Sequence, residues 1–407
     1  MGTFVPASPA GSSGTLPTMT SVSGSRSTSN VGSSAAIRDV QEGILIHKPY
    51  QTPILTRLLS NKAGKKPATN QKVEWVYSTL LPRTDTVTLA GGSASEDNIT
   101  VGDSTLYQVG TKFVFDATGE VVVVDSIASS QIDVTKLGSG NITAASSATI
   151  HFIMDSFEQG SSSATAKSVN KAFEYNYVEI QKKSVHETRS QAATAEYGGS
   201  DWNLQKQGRM EEFKYGIEQN FLHGIRDSET GFQNGSHTQF FAGGVFDTTA
   251  NFISGLYAYS GTVPTEAYFF GTFIKDGYSQ GSNEKTLYAG STVINAINNY
   301  SKDLLKTAVR DKVYGVDVTR IVHNFGVMNL VWHPMLEGAV FGSKAILLDD
   351  GLGYVKYRYL AGNGINRDMN FEDFEFIKEQ DGRKGQWIGE VCLQIEGNPY
   401  HSVLEPA

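Results

Sequence analysis

The chain has 407 residues, of which 39% are hydrophobic and 19% charged, so it can form one large globular domain or a few smaller ones. Its net charge of −8, without a concentrated basic cluster, argues against a dedicated nucleic-acid-binding protein. The single cysteine, Cys392, excludes an internal disulfide framework, and no apolar run approaches the roughly 20 residues that a membrane-spanning helix needs.

The N-terminal segment is rich in Ser, Gly, Thr and Pro and offers little that a core could bury. We expect residues 1–36 to be flexible unless a partner orders them, because burial does not offset their loss of conformational entropy. The arm as a whole is assigned to residues 1–50. The N-terminus lacks the basic start and the following apolar segment that are typical of a secretory signal. The first ordered element is predicted to be a short helix that begins at Thr52 and Pro53.

Two segments, residues 72–81 and 171–188, alternate apolar and polar side chains, which indicates strands. Between them, residues 86–155 contain short β runs separated by Gly, Asn and Ser turns, which is typical of a small all-β module. This order predicts an extended hairpin on which the module is mounted. Residues 51–85 and 156–200 are assigned to the hairpin strands and their flanks.

Residues 201–224 are long enough for about six helical turns, yet their apolar side chains form only a narrow stripe. The stripe follows steps of three and four: Met210, Phe213, Ile217 and Phe221, widened at its end by Leu222 and Ile225. The opposite face is predicted to carry charged side chains: Lys206, Arg209, Glu211, Glu212, Lys214 and Glu218. We expect the stripe to pack on a sheet and the charged face to lie at a surface.

Further helices and strands are predicted in the second half. The segment from Pro264 to Gly281 is predicted to be helical, with a cap at Thr262 or Thr265. Its buried face is predicted to consist of Ala267, Phe270 and Ile274. A second helix is predicted to have Ser291 as its N-cap and an apolar side that reaches Leu304 and Leu305. From Asp317 onward the chain is predicted to be mostly strands, including one at 373–379, which makes the fold class α+β.

The sequence GYSQG, residues 277–281, matches the nucleophile elbow of serine hydrolases around Ser279. Asp349 or Asp350 and His401 follow in the chain order of a catalytic triad. An elbow requires a strand before the serine and a helix after it, whereas here a predicted helix comes first and a predicted strand follows. Helix termination explains the two glycines, so a hydrolase using Ser279 is the lesser alternative and no catalytic residue is assigned.

The sequence predicts neither a metal nor a cofactor site. The histidines include no pair spaced by four residues and no HExxH motif. His323 and His333 lie in strand-like segments, which favours structural roles. The adjacent Asp349 and Asp350 are expected to point to opposite faces of a strand, and GNGINR at 362–367 is predicted to be a turn.

Several stretches occur in an order that is found in a known family. They are TPILTRLL, VEWVYSTL, YVEIQKKSVHET and YGGSDWNLQKQGRMEEFKYGIEQNFLHG. In this order they resemble the tailed-phage major capsid proteins of the Hong Kong 97-type fold, in the subgroup with a β module in the extended loop. VDVTRIVHNFGVMNLVWHPML, AILLDDGLGYVKYRYL and KGQWIGEVCLQIEGNPYHSVL are similar to the C-terminal strands of that family. The resemblance covers roughly residues 37–403.

The resemblance implies a definite division of the chain. Residues 201–244 and 346–407 would form a peripheral domain, in which the long helix is a spine helix lying on a sheet with the last strands. Residues 245–345 would form an axial domain, whose loops meet at the five-fold and six-fold centres of a shell. Residues 86–155 would be the module inserted in the extended loop.

The resemblance also implies a function. The protein would be a structural, non-enzymatic component of the virion. It would self-assemble as pentamers and hexamers into an icosahedral shell that encloses double-stranded DNA without sequence-specific binding. Scaffolding, portal and decoration proteins would be its partners, no membrane would be involved, and a procapsid would be assembled in the host cytoplasm and then mature. An encapsulin-like nanocompartment shell and a tail or decoration protein remain alternatives.

Overall fold

The computed structural model describes residues 51–61, 64–89, 96–144, 147–194, 199–230, 237–250, 252–300, 306–307, 311–313, 316–374 and 381–407. The predicted arm lies outside the described residues, as do Leu304, Leu305 and most of the strand predicted at 373–379. Helices and strands are mixed along the described chain, so the predicted α+β class is confirmed.

The helices are α1 Pro53–Ser60, α2 Arg189–Ala193, α3 Asp201–His223, α4 Glu266–Tyr268, α5 Lys275–Gly277, α6 Ser291–Asn299 and α7 Gly338–Phe341. A π-helical segment, Phe269–Ile274, joins α4 to α5, and 3₁₀ turns occur at Ser104–Leu106 and Asn398–Tyr400. α1 begins at Pro53, as predicted, and α3 ends at His223, within the predicted range 201–224. Gly224 follows α3 as its C-cap residue.

The strands before α3 are β1 Lys65–Ala68, β2 Lys72–Tyr77, β3 Thr84–Leu89, β4 Glu96–Thr100, β5 Thr111–Phe115, β6 Val121–Ala128, β7 Gln131–Lys136, β8 Ser147–Asp155, β9 Ala172–Tyr177 and β10 Glu179–Thr188. Those after α3 are β11 Asp227–Thr230, β12 Thr238–Phe241, β13 Gly255–Tyr259, β14 Glu284–Ala289, β15 Lys306–Thr307, β16 Asp311–Val313, β17 Val316–His323, β18 Gly326–Trp332, β19 Ala345–Leu348, β20 Val355–Gly362, β21 Ile365–Asn366, β22 Asn370–Asp373, β23 Gly382–Ile395 and β24 Ser402–Pro406.

The first sheet has the order β1-β20-β23-β10, with β21 paired to β20 and β22 paired to β23. β10 runs antiparallel to β23 along its whole length, from Glu179 opposite Val391 to Thr188 opposite Gly382. The long helix α3 lies on β10 and β23. The first sheet and α3 therefore build one layer pair, in which the helix covers one face of the sheet.

The second sheet has the order β13-β24-β19-β14-β18-β17-β15, with β16 paired to β17. The chain was expected to return to the first sheet with its last strands; β20, β22 and β23 do so, whereas β24 pairs with β13 and β19 in the second sheet. β19 also belongs to the second sheet, so a boundary at residue 346 would cut through it. Alternation within β24 gives no information on which sheet its backbone joins, since both sheets offer apolar faces.

A closed barrel of β3-β4-β7-β6-β5-β8 lies between the strands β2 and β9. Its interior is filled by its own buried side chains: Val87, Ile99, Phe113, Phe115, Val122, Val124, Ile132, Val134 and Ile150. β2 and β9 form a separate antiparallel pair, from Lys72 opposite Tyr177 to Tyr77 opposite Ala172. The barrel is thus inserted into a hairpin and has a core of its own.

The single strand predicted at 171–188 is divided into β9 and β10 at Val178. β9 pairs with β2, whereas β10 pairs with β23, so the chain changes partner at this point. The backbone N–H of Val178 donates to the carbonyl of Gln71, beside the start of β2. Continuous alternation in the sequence does not show such a change of partner. The strand predicted at 72–81 likewise ends early, at Tyr77.

Two local predictions in the second half were wrong. In the helical segment from Glu266 to Gly277, the cap at Thr265 and the burial of Ile274 are confirmed. Ala267 is exposed and Phe270 only partly buried, and Phe269 and Phe273 of the π-helical middle are buried in their place. A π turn holds more residues than an α turn, so a face predicted from α spacing is misplaced by it. Gly290, not Ser291, is the N-cap residue of α6.

The turn predicted in GNGINR is confirmed. Gly362 and Ile365 face each other across a two-residue connection, and Asn363 and Gly364 have φ angles of 52° and 80°. Positive φ at both positions is the type I′ geometry that Asn-Gly favours in tight hairpins. Cys392 is fully buried in β23, and burial raises the pKa of its thiol to about 12.

Candidate functional site

The stripe on α3 faces the first sheet. Phe213, Ile217 and Phe221 are buried in the largest core cluster, whereas Met210 is only partly buried. The Phe221 ring meets the Tyr357 ring of β20 edge-on, with centroids 6.2 Å apart. Leu222 is also buried, as expected.

Ile225 was expected on the stripe, but its side chain is 63% exposed. The helix ends at His223 and Gly224 is its C-cap residue, so helical spacing no longer applies to Ile225. His223, the last helical residue, stacks with Phe246 at a centroid distance of 5.4 Å and lies 4.4 Å from the Phe341 ring. Burial lowers the pKa of His223, and Lys344 adds to this effect. It is therefore an end-of-helix packing residue.

Glu218 was predicted on the charged face of α3, but its side chain is fully buried. Its Oε1 accepts the backbone N–H of Ile54 at 2.9 Å, and its Oε2 accepts that of Leu55 at 2.8 Å. These two N–H groups belong to the first turn of α1, which has no partner for them within the helix. Thr52, the N-cap residue of α1, makes no side-chain cap hydrogen bond. The carboxylate of α3 therefore caps α1 in its place, where the helix dipole also favours a negative charge.

His333 makes the third hydrogen bond to Glu218. Its Nδ1 accepts the backbone N–H of Met335 at 3.3 Å, so its proton is on Nε2, which donates to Oε1 of Glu218 at 2.9 Å. Both side chains have no exposed surface. His333 directly follows β18, a strand of the second sheet. Its buried contact with Glu218 agrees with the structural role that was expected for this histidine. The hydrogen bonds of Glu218 therefore connect α1, α3 and the end of β18 in the second sheet.

A second buried carboxylate, Asp350, holds the other half of α1. Arg57 Nε lies 2.5 Å from Asp350 Oδ2, and Arg57 donates a further hydrogen bond to Oδ1 at 3.0 Å. Thr286 and Tyr288 of β14 donate to the same carboxylate, each at 2.9 Å. The side chain of Asn61 reaches the Asp350 carbonyl at 3.3 Å. α1 is therefore connected to the second sheet by charged and neutral hydrogen bonds.

Asp349 and Asp350 follow the end of β19 rather than lying within a strand, as had been expected, and Asp349 has a separate set of partners. Its carboxylate accepts the N–H and the hydroxyl of Ser282 at 2.7 and 2.8 Å. Next to it, the fully buried ammonium of Lys285 donates to the carbonyls of Gly277, Gln280 and Tyr400 at 2.6–2.7 Å. Burial lowers the pKa of Lys285 to about 8. These contacts close the GYSQG loop against the segment that leads into β24.

The hydrolase alternative is not supported by the arrangement of its residues. The exposed Ser279 donates its hydroxyl to the carbonyl of Asp276 at 2.6 Å. His401 is fully buried, its Nδ1 accepts the N–H of Asp349 at 3.1 Å, and its Nε2 faces the carbonyl of Glu396 at 3.1 Å. With both ring nitrogens engaged by backbone groups, His401 has no free nitrogen to act as a base for Ser279.

The root of the hairpin is anchored by a buried amide. The Asn176 side chain donates to the carbonyls of Gly243 and Leu393 at 2.9 and 2.7 Å and accepts the N–H of Gly243 at 2.8 Å. The Arg226 guanidinium lies 4.0 Å from the centroid of the Tyr175 ring and donates to the Tyr175 carbonyl at 2.7 Å. β9 is thus fixed to the loop after α3 and to β23.

The outer part of the hairpin exposes large apolar side chains. Val76 and Phe173 lie directly opposite each other across β2 and β9, and both are more than half exposed. Further exposed apolar residues lie where the hairpin meets the barrel: Leu80, Leu81, Ile153, Met154 and Phe157. Exposed apolar surface that groups in this way marks an interaction site.

Among the described residues, no group of three or more His, Cys, Asp or Glu side chains is placed to hold a metal ion. Within the same part of the chain, no helix is both long and apolar enough to cross a membrane.

A long helix on a sheet, a second sheet that shares its core, and an extended hairpin with an inserted barrel define a Hong Kong 97-type shell subunit, as the sequence resemblance implied. The SU10 major capsid protein family matches residues 18–407. The chain belongs to this family and is a tailed-phage major capsid protein.

Three solved structures illustrate the similarity. The capsid of the empty GTA particle has 8% identity and a TM-score of 0.48, over 93% of this chain and 97% of that chain. The capsid of Myoviridae phage XM1 has 9% identity and a TM-score of 0.43, over 91% and 97%. The encapsulin complex from Synechococcus elongatus has 12% identity and a TM-score of 0.42, over 58% and 77%. Comparison with curated proteins gave no match.

Proposed function

We propose that this capsid protein assembles as pentamers and hexamers into an icosahedral shell that encloses the double-stranded DNA of a tailed phage. The family match over residues 18–407 carries this proposal. The exposed apolar side chains of the hairpin support it, because a neighbouring subunit would bury them. The hairpin strands β2 and β9 pair only with each other within the described chain, so each also offers an edge to a neighbour.

The charge of the chain supports enclosure of DNA without sequence-specific binding. The net charge is −8, and residues 84–155, which form the barrel, contain two lysines against nine aspartates and glutamates. Phosphate binding by proteins depends on clustered lysine and arginine. A wall without such a cluster encloses DNA without holding it in one position.

The division of the chain is part of the proposal. Residues 1–50 form the arm, and residues 51–85 and 156–200 the hairpin with its flanks. Residues 86–155 form the inserted module. Residues 201–244 and 346–407 form the peripheral domain, and residues 245–345 form the axial domain, with loops at the five-fold and six-fold centres. The pairing of β19 and β24 in the second sheet supports adding these two strands to the axial domain.

The proposed partners are further copies of this chain and scaffolding, portal and decoration proteins. The shell would be built in the host cytoplasm, and the subunit would have a structural and non-enzymatic role without a cofactor. The engaged nitrogens of His401 support the non-enzymatic role, because the Ser279 motif then has no base.

Purified protein tests the proposal directly. Light scattering is expected to show pentamers, hexamers or closed particles, and particles from infected cells are expected to contain nuclease-protected double-stranded DNA. A stable monomer or trimer under all assembly conditions would contradict the shell and favour a tail or decoration protein. Closed particles that contain a protein cargo and no nucleic acid would instead identify a nanocompartment.

A further inference from the structure

The helix α1 occupies the junction between the two sheets. Its side chains Ile54, Leu55 and Leu58 are buried in a core cluster that also contains Phe221 of α3 and Tyr357 of the first sheet. The same cluster contains residues of the second sheet and the segments beside it: Tyr288, Val331, Met335, Leu336, Ile346, Leu348 and Val403. Apolar burial is non-directional, so hydrogen bonds of defined geometry add to the orientation in which α1 is held.

Polar contacts hold α1 at both ends. At its N-terminus, Glu218 accepts the N–H groups of Ile54 and Leu55 and also binds His333. Towards its C-terminus, Arg57 binds Asp350. Each carboxylate therefore contacts α1 and the second sheet or its flanking loops, and Glu218 adds the connection to α3.

We propose that Glu218 is a positioning residue for shell assembly: it clamps α1 between the two sheets and thereby sets the angle between them. This inference rests on the proposed shell function, because the angle between the sheets determines how subunits fit around the shell. The observation that carries it is a fully buried carboxylate of α3 with hydrogen bonds to two separate parts of the chain, the first turn of α1 and His333. Removal of both carboxylate oxygens would deprive the first turn of α1 of its cap and His333 of its acceptor.

The test compares Glu218→Gln with Glu212→Gln. Glu212 lies on the same helix, but its side chain is exposed and pairs with Arg209 at 2.6 Å. In Glu218→Gln, one of the two N–H groups faces an amide NH₂ instead of an oxygen. We expect the amides of Ile54 and Leu55 to exchange hydrogen at least about tenfold faster than in the wild type, and the control to leave them unchanged.

The second readout is the distribution of shell diameters, measured by electron microscopy under assembly conditions. We expect Glu218→Gln to broaden or shift this distribution, whereas Glu212→Gln keeps it. Unchanged exchange at the two amides, or faster exchange with an unchanged distribution, would overturn the proposal. A wild-type protein that forms no shell would contradict the proposed function instead, and the exchange rates would then still test the clamp.

Variants of His333 provide the test if Glu218→Gln fails to fold. His333→Gln retains an N–H donor that faces Glu218, whereas His333→Leu removes it. We expect His333→Gln to keep the wild-type shell diameters and His333→Leu to shift them. Equal diameters for both variants and the wild type would overturn the proposal.

Discussion

The apolar side chains of the α3 stripe differ in burial and therefore in their expected contribution to stability. Phe213 is buried and packs against β23, where a Cβ on Gly389 would lie 3.2 Å from its ring, while Met210 is partly buried. We expect Phe213→Ala to lower the free energy of unfolding by about 3–5 kcal/mol, because it leaves a cavity in the core. Met210→Ala is the matched control, with a smaller expected loss. Denaturant unfolding of dissociated subunits measures both, and equal losses would contradict the packing.

His401 makes stability depend on pH. Burial lowers its pKa from 6.5 to about 4, and its Nδ1 accepts a backbone N–H that a protonated ring would repel. The unfolded chain therefore binds a proton at a higher pH than the folded chain, so this contribution is complete above about pH 6.5 and is lost as the pH falls to about 4. We expect a loss of about 3 kcal/mol from this group.

The pH prediction is measured as the difference between the wild type and His401→Gln in thermal unfolding from pH 7 to pH 4. The wild type is expected to lose more stability than the variant across this range. Parallel pH curves for the two proteins would contradict it.

Residue-scale errors in the sequence prediction have a common cause. Glu218 lies one position from Ile217 on the helix, and its charge favours a solvent-facing interpretation. Its partners are Ile54, Leu55 and His333, each more than 100 positions away in sequence. No local pattern contains that information. Lys285 is a similar case, since the three groups that bind its ammonium are backbone carbonyls.

Elements whose signal is local were predicted well. The spine helix has apolar side chains at helical spacing within its own sequence, and its observed range, Asp201–His223, agrees with the predicted range 201–224. The Asn363–Gly364 turn needs two positive φ angles, which the two residue types themselves favour. The sequence did not predict that residues 171–188 divide into β9 and β10, because the alternation of apolar and polar side chains continues where the pairing partner changes.

The barrel is expected to contribute little to the folding stability of the rest of the chain. Its core is separate from the other clusters, and its two ends meet where the N–H of Phe152 donates to the carbonyl of Arg83. We expect a chain in which a short glycine linker joins Arg83 to Ser156 to unfold cooperatively, with its helical circular dichroism retained. Loss of cooperative unfolding in this deletion would contradict the independence of the barrel.

At the scale of the whole molecule, two sheets are joined through a shared core and two buried carboxylates, while the hairpin and barrel extend from the first sheet. The fold class could be predicted from the order of helical and strand segments in the sequence. The assignment of β24 to the second sheet was not, because backbone pairing between distant strands has no sequence signature of its own. A subunit with exposed apolar side chains on an extended hairpin is complete only in contact with neighbours.

Cryo-electron microscopy of the expressed protein tests the central claim most directly. We predict closed icosahedral particles in which the second-sheet loops surround the five-fold and six-fold centres and the hairpin apolar residues are buried against a neighbouring subunit. Particles without such closure, or subunits whose Val76 and Phe173 remain exposed in the assembled state, would contradict the account.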